Sequence, residues 1–194
     1  MRLKSIIIAV VAMLAVGCAG QVKAQEKHGF KPIDIRSEFK ENGFDWFHSP
    51  LLLAAGNKKA SNAMTIGWGA IGTLWGRTAL TVYVAEKRYT KEFMDGSKYF
   101  TVMAMPDGNV LRYMGNNSGR NGDKAAALGL HTAYTANGAP YYTEATLVIE
   151  CETMYAAPFD PQYFKNDVPR KRYSNFPAGV HTMYVGEVIG AWTK

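Results

Sequence analysis

The chain has 194 residues, of which 47% are hydrophobic, 12% aromatic and 20% charged, and it carries a formal net charge of +6. Such a composition excludes a disordered chain and a low-complexity repeat, and the length suits one domain with a short targeting segment. Glycine is frequent, at 19 residues, and helical stretches are few, a mixture that favours strands joined by tight turns.

Residues 1–24 read as a signal peptide. Arg2 and Lys4 precede an uninterrupted apolar run, Ile6 to Val16, which is too short to span a bilayer. Val22-Lys23-Ala24 is a small-x-small cleavage site that releases a chain starting at Gln25. Ala15-Val16-Gly17-Cys18 resembles a lipobox, whose processing would leave a membrane anchor on Cys18 instead. Cleavage after Ala24 is the preferred reading, because the residue three before a lipobox cysteine is usually larger than alanine. Both routes export the chain, to the periplasm or the medium. The segment holds three of the 22 basic residues and none of the 16 acidic ones, so the mature charge is a mild +3, with no signature of nucleic-acid binding. Cys151 is the one cysteine left after that cleavage; it lies in an apolar run and reads as a small buried hydrophobe rather than half of a disulfide. No metal-ligand spacing occurs.

Residues 25–44 are a polar lead-in, extended from Gln25 to Glu41, and 45–194 form the domain. Leu51 to Gly56 is a short apolar run closed by glycine, a buried strand. Thr65 to Leu74 and Ala79 to Val84 read as two strands of a hairpin, turning at Trp75-Gly76-Arg77. Lys91 to Ser97 reads as a short helix with Thr90 as its N-cap. Tyr99 to Met105 is a strand broken at Pro106, Asn109 to Met114 one or two helical turns, Asn116 to Gly122 a loop, and Asp123 to Gly129 a helix. The basic cluster Arg170 to Arg172 reads as a solvated loop. Thr146 to Tyr155 and Tyr184 to Trp192 complete the strands. Without a regular βαβ alternation, a parallel sheet is disfavoured and a mostly β fold, an antiparallel barrel with short helices, is expected.

One stretch carries chemistry. Lys87-Arg88-Tyr89-Thr90 runs into a helix, so Arg88 and Thr90 stand where a cation, a hydroxyl and unpaired amide groups can hold a phosphate. Upstream, Asn62-Ala63-Met64-Thr65 leads to glycines and Trp68, which permit close approach of a flat ligand. Read as residue types alone, the same positions equally describe a chain turn at Asn62, core packing by Met64 and Trp68, and an ordinary capped helix.

The strings N-A-M-T-I-G-W-G at 62–69, V-Y-V-A-E-K-R-Y-T at 82–90 and F-T-V at 100–102 resemble the flavin reductase-like family. N-S-G-R-N-G-D-K at 117–124, E-C-E-T-M-Y at 150–155 and H-T-M-Y-V-G-E-V-I-G-A-W at 181–192 extend the resemblance in order over residues 45–194. The resemblance implies an FMN-binding split barrel of flavoredoxin-like type, a Greek-key antiparallel barrel, and a homodimer. It implies that Asn62, Met64 and Thr65 contact the flavin ring and ribityl chain largely through backbone groups, and that Trp68 and Gly69 line the ring's pocket. Arg88, Tyr89 and Thr90 would hold the phosphate end. Ser118, Arg120 and Lys124 would form a second polar cluster, either contacting the flavin or stabilising a loop. His181 reads as a hydrogen-bonded structural residue near the site, and His48 and His131 carry no role. Many relatives have Arg-Pro after V-Y-V where this chain has Ala85-Glu86, and a proline after the W-G turn where it has Arg77-Thr78.

The implied function is an FMN-dependent oxidoreductase in which the flavin N5 carries hydride or electrons and no catalytic residue is required of the protein. The electron donor is open between NAD(P)H and a redox protein. The competing expectations are an exported FMN-binding electron carrier without NAD(P)H turnover, and a barrel whose flavin site has decayed.

Overall fold

The computed structural model describes residues 28–35, 47 and 49–194. The signal-peptide, lipobox and Cys18 readings, most of the lead-in, and His48 lie outside the described residues. Among the described residues, ten strands and four α-helices follow in chain order. The strands are β1 (Lys31–Pro32), β2 (Leu51–Gly56), β3 (Ser61–Ile66), β4 (Gly69–Leu74), β5 (Arg77–Ala85), β6 (Tyr99–Ala104), β7 (Thr132–Tyr134), β8 (Pro140–Tyr142), β9 (Leu147–Pro158) and β10 (His181–Thr193). The helices are α1 (Tyr89–Gly96), α2 (Gly108–Asn116), α3 (Lys124–Ala127) and α4 (Asp167–Ser174), with 3-10 turns at Gly119–Asn121 and Pro161–Tyr163.

One antiparallel sheet runs in the order β3-β2-β6-β9-β10-β5-β4, with β1 added against the end of β10, and β7-β8 form a separate hairpin. The pairs β2-β6 and β5-β10 are not consecutive in sequence, which is the Greek-key feature of the path. The expected Thr65–Leu74 strand is instead two strands. Gly67-Trp68 breaks it, and β3 and β4 end on opposite edges of the sheet order. Across that break, Ile66 and Gly69 can stand no more than roughly 11 Å apart. A link so short between opposite edges forces the sheet to curl almost round on itself. No ladder joins β3 to β4 among the described residues, so the barrel stays split along this seam. The hairpin at Trp75-Gly76 is present, with φ of 51° and 74°, the left-handed pair of a tight two-residue turn.

The strand-forming sequences differ because their faces meet different surroundings. Leu51, Leu53 and Ala55 of β2 point into the barrel with Leu80, Val82, Val84, Phe100, Val102 and Ile149. Leu52 and Ala54 point outward, beneath a second cluster with Met103, Met114, Tyr141, Val148 and Trp192. Both faces of β2 are covered, which is why Leu51–Gly56 is continuously apolar instead of alternating. Cys151 is buried in the barrel interior, and burial pushes its thiol up. Its neighbour Glu150 faces outward, where the Thr135 hydroxyl donates to it at 2.5 Å and its second carboxylate oxygen is buried without a partner. Burial raises its pKa accordingly.

Two local expectations are corrected. Helix α1 starts at Tyr89, with Arg88 at its N-cap and no side-chain cap, because the Thr90 hydroxyl is engaged elsewhere. Arg170 to Arg172 lie on α4 rather than in a loop; Asn166 caps this helix by accepting from the Val168 amide at 3.0 Å.

Gly186 of β10 lies over the barrel interior, where an added Cβ would come within 2.7 Å of both Cys151 Cβ and Phe100 Cζ. Gly186→Ala is expected to destabilise the domain by about 1–3 kcal/mol through overpacking, read as a lower urea midpoint.

Candidate functional site

The seam and the start of α1 meet at Asn62. This residue shares a face of β3 with Met64 and Ile66, both packed against the barrel interior. The Asn62 side-chain amide donates to Thr90 Oγ1 at 2.7 Å, tying β3 to the first turn of α1. Thr90 is buried, and a Cβ at Gly119 would fall 2.2 Å from Asn62 Oδ1, so Asn62 sits tightly between α1 and the Gly119–Asn121 turn. Glycine is required there by space.

Lys124 is the most unusual group. It is 7% exposed, and its ammonium donates to Ala63 O at 2.6 Å and to Met114 O at 3.0 Å, joining β3 to the last turn of α2. Burial, with the nearby positive charge of Arg88, lowers its pKa from 10.5 to about 8. Arg88 is exposed and its side chain does not cap the helix. Among the described residues neither cation has an ion-pair partner. Asp123 is committed to capping α3, accepting from the amides of Ala125 and Ala126 at 2.9 and 3.1 Å. Glu86, the acid standing where relatives carry Arg-Pro, lies against Gly179 and lines a separate recess with Lys91, Asp95 and Thr182.

The second polar cluster divides. Ser118 caps the 3-10 turn by accepting from the Arg120 amide at 3.2 Å. Arg120 lies over the Tyr89 ring at 4.8 Å, donates to Lys87 O at 3.2 Å and forms an ion pair with Glu92, so its charge is neutralised within the protein. Asn62, Tyr89, Gly119, Arg120 and Lys124 line one recess of about 500 Å³, with Lys58 and Lys59 at its rim.

Trp68 is 40% exposed on the Gly67-Trp68 link. Its ring is 4.9 Å from that of His181, the first residue of β10. His181 is buried, and its Nδ1 shares a 3.0 Å hydrogen bond with the Tyr173 hydroxyl. Burial and the charges of Arg88 and Arg172 push its pKa down to about 4, so its ring is neutral at neutral pH. The charge of Arg88 therefore acts on both Lys124 and His181.

The structure thus brings Asn62, Tyr89, Thr90, Arg88, Arg120 and Lys124 together, with Met64 on the same face of β3 and Trp68 close by. The Thr65 side chain turns to the outer face and donates to Leu111 O at 2.5 Å; only its backbone faces the seam edge. Gly69 packs beneath Phe47, whose ring carbons would lie 2.1 Å from an added Cβ. His131 is paired with Glu144 at 2.7 Å on the surface, away from these residues. Sequence reasoning missed Tyr173 and Arg172. The start signal Asn166-Asp167-Val168-Pro169, with its N-cap residue and early proline, marks the helix that carries them.

A family model described as the flavin reductase like domain matches residues 45–194. Flavoredoxin from Methanosarcina acetivorans is 26% identical, with a TM-score of 0.57 over 84% of this chain and 76% of that one. The FMN-binding domain of a flavin reductases-like enzyme from Shewanella baltica OS155 superposes with a TM-score of 0.61 at 17% identity, over 84% of this chain and 76% of that one. Flavoredoxin of Desulfovibrio vulgaris (Miyazaki F) gives 0.58 at 21% identity, over 75% of this chain and 69% of that one. These last two speak for the fold. No curated protein matches the sequence. With the split barrel, the ordered motifs and a match over residues 45–194, the chain belongs to the flavin reductase like domain family.

Proposed function

We propose that this protein binds FMN and acts as an FMN-dependent oxidoreductase. The observation that carries the reading is the pair Arg88 and Lys124, two cations without acidic partners among the described residues, beside the start of α1. A phosphate dianion fits this donor set. It would be offered a guanidinium, a buried ammonium, the Asn62–Thr90 bridge and the amide groups of an uncapped helix start. Without an anion, Lys124 pays a desolvation penalty that only two carbonyls offset.

Bound FMN would supply hydride or electron transfer at its N5. The protein's part is to bind, orient and hold protons. Arg88 and Lys124 fix the anionic end, and Asn62 and Gly119 set the width between α1 and the 3-10 turn. β3 is an edge strand, so one row of its backbone donors and acceptors faces the seam, available to the polar edge of a ring system. Trp68 and Met64 provide apolar walls. His181, neutral and hydrogen-bonded to Tyr173, adds no charge beside the ring.

A homodimer belongs to the same reading. Trp75 is 65% exposed and lies edge-on to the exposed Tyr155, with exposed Leu74 beside them, an apolar patch suited to a second copy. The apolar run Ile6 to Val16 favours export, and with it a second reading, an electron carrier served by a redox protein rather than by NAD(P)H. Cleavage after Ala24 and lipidation at Cys18 are separated by the mass of the mature N-terminus.

FMN added to purified protein is expected to bind and to give a yellow complex. Arg88→Ala should raise its Kd roughly fivefold or more, about 1 kcal/mol, as measured by flavin fluorescence titration. Protein that stays colourless, or an unchanged Kd in the variant, would overturn the reading. Bleaching by NADH or NADPH over many turnovers in a stopped-flow cell identifies a reductase, and bleaching only by a redox protein or dithionite identifies a carrier.

Lys124 adds a pH signature. Its pKa is lower in the folded protein than in the unfolded chain, so between about 8 and 10.5 the unfolded state holds the extra proton. Stability therefore gains from this residue as pH rises through that window. Urea unfolding at about pH 7 and about pH 9.5 should reveal this gain in the wild type and its loss in Lys124→Met. Saturating FMN, which favours the ammonium form, should shrink it. Parallel profiles for the two proteins would contradict the depressed pKa.

A further inference from the structure

Beyond Trp68 the surface opens into a cleft of about 1110 Å³, distinct from the polar recess that holds Lys124. Its floor is the β5–β10–β9 face of the sheet, with Tyr83, Met183 and Ala157, and its far wall is α4 and the chain leading to it. Aromatic rings dominate. Phe159 lies 5.5 Å from Tyr83, and Phe164 stacks on Tyr173 at 5.6 Å and 15°. A volume of this size is ample for a ligand of two or more fused rings.

The cleft's charge is one-sided. Arg172 is held with its guanidinium 4.9 Å over the Trp68 ring and 5.4 Å over that of Phe176. It has no ion-pair partner among the described residues, whereas its neighbour Lys171 is paired with Asp167 at 3.7 Å. The one acid on the cleft wall, Asp160, is turned into its own chain, accepting from the Gln162 amide at 3.0 Å and bonding the Gln162 side chain. A guanidinium held over two aromatic rings is restrained by both, and among the described residues no hydrogen bond occupies the N–H groups of Arg172, which leaves them to an anion. Its fork matches a carboxylate, which accepts two parallel hydrogen bonds.

We propose that this cleft binds a planar, multi-ring aromatic carboxylate, its rings packed along Phe159 and Phe164 and its carboxylate paired with Arg172 at the edge of Trp68. Such a molecule is placed beside the aromatic end of the candidate flavin site, so the class it defines is that of the electron acceptor. The acceptor role rests on the FMN reading; the binding does not.

The test is calorimetric titration of the mature protein, with and without FMN, using 2-naphthoate and its neutral isostere 2-naphthamide. Naphthoate is expected to bind at least tenfold more tightly than the amide. Arg172→Leu should abolish that preference while leaving the amide's affinity in place, and Arg172→Lys should keep part of it. Phe159→Ala should weaken both ligands alike. Arg172 is exposed, so its replacement leaves the core untouched. Equal affinity for the two probes, a preference that survives Arg172→Leu, or absence of binding to FMN-free and FMN-loaded protein alike would overturn the proposal. Naphthoate binding in protein that takes up no FMN would sustain the cleft and sink the flavin reading instead.

Discussion

Two residues, Gly67 and Trp68, set the shape of this molecule. They join strands that occupy the opposite edges of a single sheet, and so short a connection is possible only if the sheet curls until its edges meet. The curl encloses the inner core, and the missing β3–β4 ladder leaves a seam whose backbone groups have no strand partner; one of them, Ala63 O, accepts from Lys124. Everything assigned to the site gathers along that seam. Asn62 and Met64 lie on one lip, Trp68 on the link itself, and α1 begins opposite, at the end of the strand that partners the other lip. Phe47 fills the space over Gly69, which explains why a side chain is excluded there.

Electrostatics gives the seam its direction. The charge of Arg88 reaches both a buried ammonium, Lys124, and a neutral histidine, His181, and weakens proton binding at each. Acids that could cancel this potential are diverted: Glu92 to Arg120, Asp123 to the start of α3, and Glu86 to the recess beside Gly179. The result is a cationic pocket at one end and, at the other, an aromatic cleft lined by Arg172, whose guanidinium has no ion-pair partner among the described residues. Glu86, the acid in place of the Arg-Pro of relatives, directs its carboxylate toward Gly179, into a recess separate from the one that holds Lys124.

Much of the barrel was legible because burial on one or both faces writes itself into residue choice. Leu51–Gly56, the Trp75-Gly76 hairpin and the long C-terminal strands followed from apolar runs and turn residues, and the ordered motifs pointed to the family. The Gly67-Trp68 break was not legible, since Thr65 to Leu74 is one uninterrupted strand-compatible run and only the curl of the sheet divides it. Thr90 looked like a cap by residue type, yet its hydroxyl serves Asn62, a partner 28 positions away that no local rule supplies. Arg172 escaped for the opposite reason: a basic run reads as solvated unless the aromatic faces brought to it by the β3–β4 link and by the segment between α4 and β10 are known.

The place of β10 also dictates when the molecule can become itself. Strand β10, the last of the described strands in chain order, lies between β9 and β5 and pairs at its end with β1, the first described strand. Until it arrives, the β4-β5 hairpin has no ladder to the rest of the sheet, and His181 is absent from Trp68. Closure of the sheet must wait for β10, with one edge of β9 and one edge of β5 left open to solvent and to wrong partners in the meantime. The seam between β3 and β4 is then the final feature of the sheet to form, since β4 and β5 join the other strands only through β10.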